Sequence, residues 1–257
     1  MAGESLRCLI FIYKIKERVT TMVKFKVRSL MALGLLSIST VAMAQDKVEA
    51  NVSADVVSQY IWRGQDLGDV SLQPSLGVSY KGLSLSAWGN VGLSDNTDTK
   101  EFDLTLSYKT GGFNIGVTDY WFNSPNERYF SYAAHETSHV FEANIGYDFG
   151  LCALQWYTNF GGNDGVTDKG KRAYSSYAEL SVPFRLAGCD WTAAAGVVPY
   201  ATSFYADANG FAVTNVSLKT TRDINITKSF SVPLFAGIYA NPSTEKAYFV
   251  VGFTLRP

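Results

Sequence analysis

"HVFEANIGYDFG", His139 to Gly150, is the stretch that decides the fold. Phe141, Ala143, Ile145, Tyr147 and Phe149 alternate with Glu142, Asn144, Gly146 and Asp148. Period two is the mark of a β-strand with one apolar and one polar face. The residues just before it read "HETSH", His135 to His139, the H-E-x-x-H spelling of a zinc peptidase. That chemistry needs both histidines one helical turn apart on a single helix face, with Glu136 between them as general base. Here the alternation begins where the helix would have to continue, and the chain holds only two histidines, so a third imidazole ligand is missing. His135, Glu136 and His139 are therefore a candidate metal set in spelling only, and the pattern around them predicts no metal and no cofactor.

The same alternation recurs along the chain. Phe102, Leu104, Leu106 and Tyr108 oppose Asp103, Thr105 and Ser107. Phe113, Ile115, Val117 and Trp121 oppose Asn114, Gly116, Thr118 and Tyr120. Leu83, Leu85, Ala87, Val91 and Leu93 oppose Ser84, Ser86, Trp88, Asn90 and Gly92. Ala178, Leu180, Val182 and Phe184 oppose Tyr177, Glu179 and Ser181, and the pattern returns in "AYFVVGFTL", Ala247 to Leu255. The connections alternate as well. Tight ones ("YKGL", "KTGG", "DFGL", "RLAGC", "TTRDIN") take turns with longer polar ones ("RGQDLGDVS", "SDNTDTK", "NSPNERYFSYAAHETS", "GGNDGVTDKGKR", "PYATSFYADANG", "NPSTEK"). Roughly twelve strands with short turns at one end and long loops at the other predict an all-β, antiparallel, up-and-down transmembrane β-barrel.

Alternation alone also fits a soluble sandwich or a lipocalin-like barrel. Three features separate them. The polar face carries Ser, Thr, Asn, Gly, Asp and Glu, where a soluble barrel would pack an apolar core. The aromatics, 14% of the chain, gather near strand ends (Tyr60, Trp62, Tyr80, Tyr108, Trp121, Phe122, Phe149, Phe160), as interface girdles do. The third feature is a leader for export. "MVKFKVRSLMALGLLSISTVAMAQ" starts at Met22 with Lys24, Lys26 and Arg28, runs apolar from Leu30 to Val41, and ends in an Ala42-Met43-Ala44 cleavage site. Residues 22–44 thus read as a signal peptide and residues 1–21 as an upstream stretch before the true start. Residues 45–257 remain as the barrel.

Removing residues 1–44, with seven basic and two acidic side chains, leaves 15 and 21, an excess of six acids. No basic stripe for nucleic acid is present. Cys152 and Cys189 open two strands that flank a third. A separation of about 9–10 Å puts them beyond a relaxed disulfide, so free thiols are expected.

The element Ser58, Tyr60, Arg63 and Gly64, followed by Gln73 and Pro74, resembles the first-strand signature Ser-x-Tyr-x-x-Arg-Gly of a family of uncharacterised bacterial outer-membrane barrels, in its Bacteroides-type version. The resemblance extends through "SSYAEL" and "VTNVSL". It implies the bacterial outer membrane as location and outer-membrane lipid as surroundings, and it implies no activity. The chain departs from the outer-membrane pattern in ending on Arg256-Pro257 in place of an aromatic residue.

With Val52, Ala54 and Val56 facing lipid, strand parity sends Asp55 and Arg63 inward. Asp103, Glu142, Asp148 and Glu179 share that side, with Lys219 as a basic exception. One reading makes these seven an ion-paired plug, since a charge in a narrow lumen must be paired. The other makes them the lining of a small pore for small polar solutes or cations. Two further functions stay open. One is a structural or adhesive barrel with a filled lumen. The other is an outer-rim hydrolase using His135 and His139 with Glu136, and with Ser131 or Ser138 near enough in sequence to serve as nucleophile. Nothing in the sequence sets the oligomeric state.

Overall fold

The computed structural model describes residues 47–94, 98–122, 128–133, 136–167, 169–205, 208–227 and 230–256. The leader, the stretch upstream of it and His135 lie outside these. The alternating segments become strands: β1 (Glu49–Val57), β2 (Tyr60–Trp62), β3 (Gln65–Gly68), β4 (Ser71–Tyr80), β5 (Leu83–Gly92), β6 (Glu101–Thr110) and β7 (Phe113–Phe122). They continue as β8 (His139–Asp148), β9 (Ala153–Gly162), β10 (Ser176–Leu186), β11 (Cys189–Val198), β12 (Ala212–Asn225), β13 (Ser231–Asn241) and β14 (Lys246–Leu255). Among the described residues, twelve of them close into one antiparallel barrel in which each strand pairs with the next and β14 returns to β1. β2 and β3 stand apart as a separate hairpin.

The tight turns have a local cause. Lys81-Gly82, Gly111-Gly112 and Ala187-Gly188 each hold two successive residues at positive φ (50° and 83°, 53° and 89°, 53° and 75°). Two such residues make the turn whose twist matches that of the flanking strands, and glycine in the second place relieves it of Cβ strain. "TTRDIN" was expected to be a turn and is strand. β12 runs on through Thr221↔Phe235 to Asn225↔Ser231, and the chain reverses after it, with Ile226 N–H donating to the Phe230 carbonyl at 2.9 Å. The segment has no glycine or proline to break a ladder, and its side chains keep the alternation: Thr221 and Asp223 inward, Arg222 and Ile224 outward.

Parity is uniform around the barrel. Leu76, Val78, Leu85, Leu106, Ile115, Val117, Ile145, Leu154, Leu180, Ile238 and Val251 all stand exposed on the outside. In water such a belt would drive aggregation, whereas in lipid it is the favourable face. The inner wall carries Ser, Thr, Asn and Gln. Several of its glycines are flat places over which a longer neighbour lies: Gln155 over Gly146, Asn144 over Gly116 and Phe235 over Gly252. Cys152 and Cys189 are free thiols.

Two expectations about strand ends need correction. Arg63 does not reach the interior by the parity of the first strand. β1 stops at Val57, and Arg63 sits at the tip of the β2–β3 hairpin, which folds back inside. The aromatic girdle also divides: Tyr80, Tyr108, Trp121, Phe149 and Phe160 belong to the outer wall, but Tyr60 and Trp62 lie on the hairpin itself and Phe122 turns inward.

Candidate functional site

The hairpin tip Trp62-Arg63-Gly64-Gln65 is another turn with two successive residues at positive φ, 51° at Arg63 and 80° at Gly64. Glycine is required at the second position for a further reason. A Cβ there would lie 1.8 Å from the Thr214 carbonyl oxygen of β12. The tip is seated on the far wall, and Asn241 at the end of β13 holds it by donating from Nδ2 to the Gly64 carbonyl at 3.1 Å. Tyr60 on the same hairpin donates its hydroxyl to Glu101 at 3.0 Å.

This seating carries the Arg63 guanidinium into the lumen, where it meets Glu142 of β8 in a two-pronged pair at 2.5 and 3.0 Å. The forked geometry matches guanidinium to carboxylate. Tyr120 of β7 and Tyr205 of the loop between β11 and β12 donate their hydroxyls to the same carboxylate at 2.9 and 2.6 Å, and Arg63 donates to the Tyr205 hydroxyl at 2.8 Å. Aromatic rings close the remaining faces. The guanidinium carbon lies 3.9 Å from the centre of the Tyr157 ring, 4.5 Å from Trp62 and 4.8 Å from Tyr177. A delocalised cation among ring faces is favourable there even without water. Burial works against the Arg63 charge, but Glu142 together with the Tyr205 and Tyr120 hydroxyls outweighs it and holds the group protonated, above its usual range. Burial also pushes the Tyr205 phenol up, despite the nearby Arg63, so its hydroxyl stays a donor.

Against the ion pair lies a buried cluster. Tyr177, Val198, Tyr205 and Ala208 are buried together, with Trp62, Tyr157, Phe204 and Ala212 against them. Tyr205 arrives because Thr202 caps its own loop, accepting from the Phe204 amide at 3.0 Å. The arrangement is a knot of one cation, one anion and several tyrosines drawn from the hairpin, four barrel strands and a second loop.

The seven charges expected inside do not come together as one group. Arg63 and Glu142 form the centre. Glu179 lies beside it, accepting from Tyr177 at 2.6 Å and from Asn215 at 3.3 Å. Asp103 is buried two residues along β6 from Glu101. Asp55 stands on the wall opposite Gln73 and Thr254. Asp148 accepts from the Gly150 amide at the short-turn end, at 2.8 Å. Lys219 places its ammonium 4.6 Å from the Phe235 ring. The tyrosines were missed. Tyr120, Tyr157 and Tyr177 hold inward parity in strands whose other inward residues are small or polar, which was a readable sign. Tyr205 lies in a loop and carried no such sign.

"HETSH" resolves differently from the rest. Residues 136–138 turn, and β8 begins at His139. His139 pairs across to Trp121 on the outer, lipid-side face. Its Nε2 meets the Tyr129 carbonyl at 2.6 Å, and a carbonyl only accepts, so Nε2 bears a proton. Its Nδ1 faces Asp119 of β7 at 2.7 Å. Both ring nitrogens are engaged by protein groups, and Glu136 points to solvent. The expected nucleophiles Ser131 and Ser138 do not take the position at Nε2.

No protein-family profile matches the chain, and no characterised protein matches it in sequence. Among solved structures it is similar to the outer membrane phospholipase A from Escherichia coli, at 12% identity and a TM-score of 0.38, over 81% of this chain and 92% of that one.

Proposed function

We propose that this chain is an outer-membrane barrel shut at its long-loop end by its own β2–β3 hairpin, and that small polar solutes or cations pass only when the hairpin is displaced. The observation that carries this is the Arg63–Glu142 pair, buried at the lumen end and wrapped by Tyr120, Tyr157 and Tyr205. Beneath it the wall is hydroxyl- and amide-rich, with side chains laid flat over Gly116 and Gly146, which favours a wet lower lumen. The surroundings implied are bacterial outer-membrane lipid.

A filled, structural barrel is the second reading, and one observation favours it. The outer loops are stapled into a network in which buried Asp164 accepts from Arg172 at 3.0 Å and from the Ser175 amide at 3.2 Å, while Thr202 donates to Ser175 at 2.8 Å. The outer-rim hydrolase has less support, since His139 has no ring nitrogen to spare.

Planar-bilayer recording in KCl tests the proposal. The native barrel is expected to be silent. A variant with residues 60–68 replaced by a short flexible linker should conduct with cation preference, and Asp103→Asn in that background should reduce the preference. Steady current through the native barrel would make the hairpin no plug. Silence in the linker variant, folded by its resistance to protease, would favour the filled barrel.

A further inference from the structure

On the outer face of the barrel wall, Asp119 and His139 make a polar pair that draws in part of a loop. Asp119 pairs with Leu104 and Phe141, and His139 with Trp121, so both stand on the outer face. An unpaired carboxylate there would be costly. Residues 128–133, between β7 and β8, remove the problem by lying over the outside of the wall. Tyr129 packs its ring 5.2 Å from Trp121 and 6.0 Å from Phe102, and Tyr132 lies 4.6 Å from the His139 ring. The loop's own backbone completes the contact through the Tyr129 carbonyl on Nε2. Thr137 ties the return, donating to the Ser131 carbonyl at 2.5 Å and accepting from the His139 amide at 3.1 Å. His139 is 0% exposed as a result.

The loop therefore forms a second layer on the barrel's exterior. Its underside covers lipid-belt residues, so its upper side is continuous with the belt and faces whatever surrounds the barrel. There Phe130 is 84% exposed and Tyr132 52%. Aromatic side chains at that height favour the boundary between headgroups and acyl chains. We propose that this loop is a membrane-lying flap, with Phe130 and Tyr132 resting in the lipid of the outer leaflet, and that the Asp119–His139 pair is the latch holding it to the wall. The inference rests on the barrel spanning a membrane.

Spin labels test the two separately. In a Cys152→Ser, Cys189→Ser background refolded into vesicles, single cysteines are placed by Phe130→Cys on the flap, Phe249→Cys on the belt and Lys171→Cys on another outer loop. Relaxation by oxygen, which concentrates in lipid, is compared with relaxation by a water-soluble nickel chelate. Labels at 249 and 130 should favour oxygen, and the label at 171 should favour nickel. Adding His139→Phe, which keeps a ring but loses both hydrogen bonds, should switch the 130 label to nickel and leave 249 unchanged. A 249 label in water would overturn the barrel reading itself. A 249 label in lipid with a 130 label in water would overturn the flap alone. A 130 label that stays in lipid after His139→Phe would overturn the latch.

Discussion

Two loops of this barrel do opposite things with the same materials. The first folds inward and the third folds outward over the wall. Each is fixed by one side-chain pair, Arg63 with Glu142 or His139 with Asp119, and each pair is covered by tyrosines, which come from the wall and the loop between β11 and β12 inside and from the third loop itself outside. The difference lies in what the wall offers. Inside, Glu142 is one polar residue among many, so the hairpin brings the cation to it and the rings exclude water. Outside, Asp119 stands among apolar neighbours, and the loop's task is to keep that carboxylate and its partner out of lipid. The inner pair sits where charge is tolerated and is supported from several strands; the outer pair sits where charge is not tolerated and depends on one loop.

The largest expected effect breaks the inner pair. Glu142→Ala strands the Arg63 cation and should lower unfolding stability by about 3–5 kcal/mol, read as the urea midpoint of the refolded barrel. Removing both charges with Arg63→Met and Glu142→Leu should recover most of that loss. Next, Gly64→Ala adds a Cβ against the Thr214 carbonyl in a left-handed turn, and should expel the hairpin at a cost of more than about 2 kcal/mol. Protease cleavage between residues 59 and 69 would report it. On the outside, His139→Phe leaves the Tyr129 carbonyl and the Asp119 carboxylate without their donor, a loss of about 1–3 kcal/mol. Its signature should be cleavage of the third loop before the first, the reverse of Gly64→Ala. Tyr205→Phe removes one hydroxyl from Glu142 and should cost about 1 kcal/mol in the same melts. Smallest of all, Glu136→Gln on the exposed rim should change stability by less than about 0.5 kcal/mol. A zinc content near one per chain, lost on His139→Ala, would contradict the assigned contacts of His139.

The wall was legible because period two is strict: one slip would send a strand's whole apolar set into the lumen, so each of these segments declares its face. The glycine-bearing turns were legible for the same local reason. What parity could not convey is where a loop goes. Arg63 looked inward on an uninterrupted first strand, and it is inward, but through a hairpin whose partners stand 79 and 142 residues away in the chain. "TTRDIN" looked like a turn only because a reversal had to come nearby. Asp119 was the signal left unused. In "FNIGVTDYWF" it holds the parity of Ile115 and Val117, and His139 holds that of Phe141 and Ile145. Two misfits on the same face of adjacent strands mark a covered site on the lipid side.

The seat of the hairpin also orders events in time. Residues 60–68 are made early, yet Arg63 awaits Glu142 and Tyr205, and the Gly64 carbonyl awaits Asn241, 177 residues later. Contacts so distant form only after most of the wall has assembled. The hairpin cannot settle before β13 is in place, and β13 is followed only by the strand that closes the ring on β1. A seated hairpin is thus a record that β13 has joined the wall, and in refolding its protection should appear late.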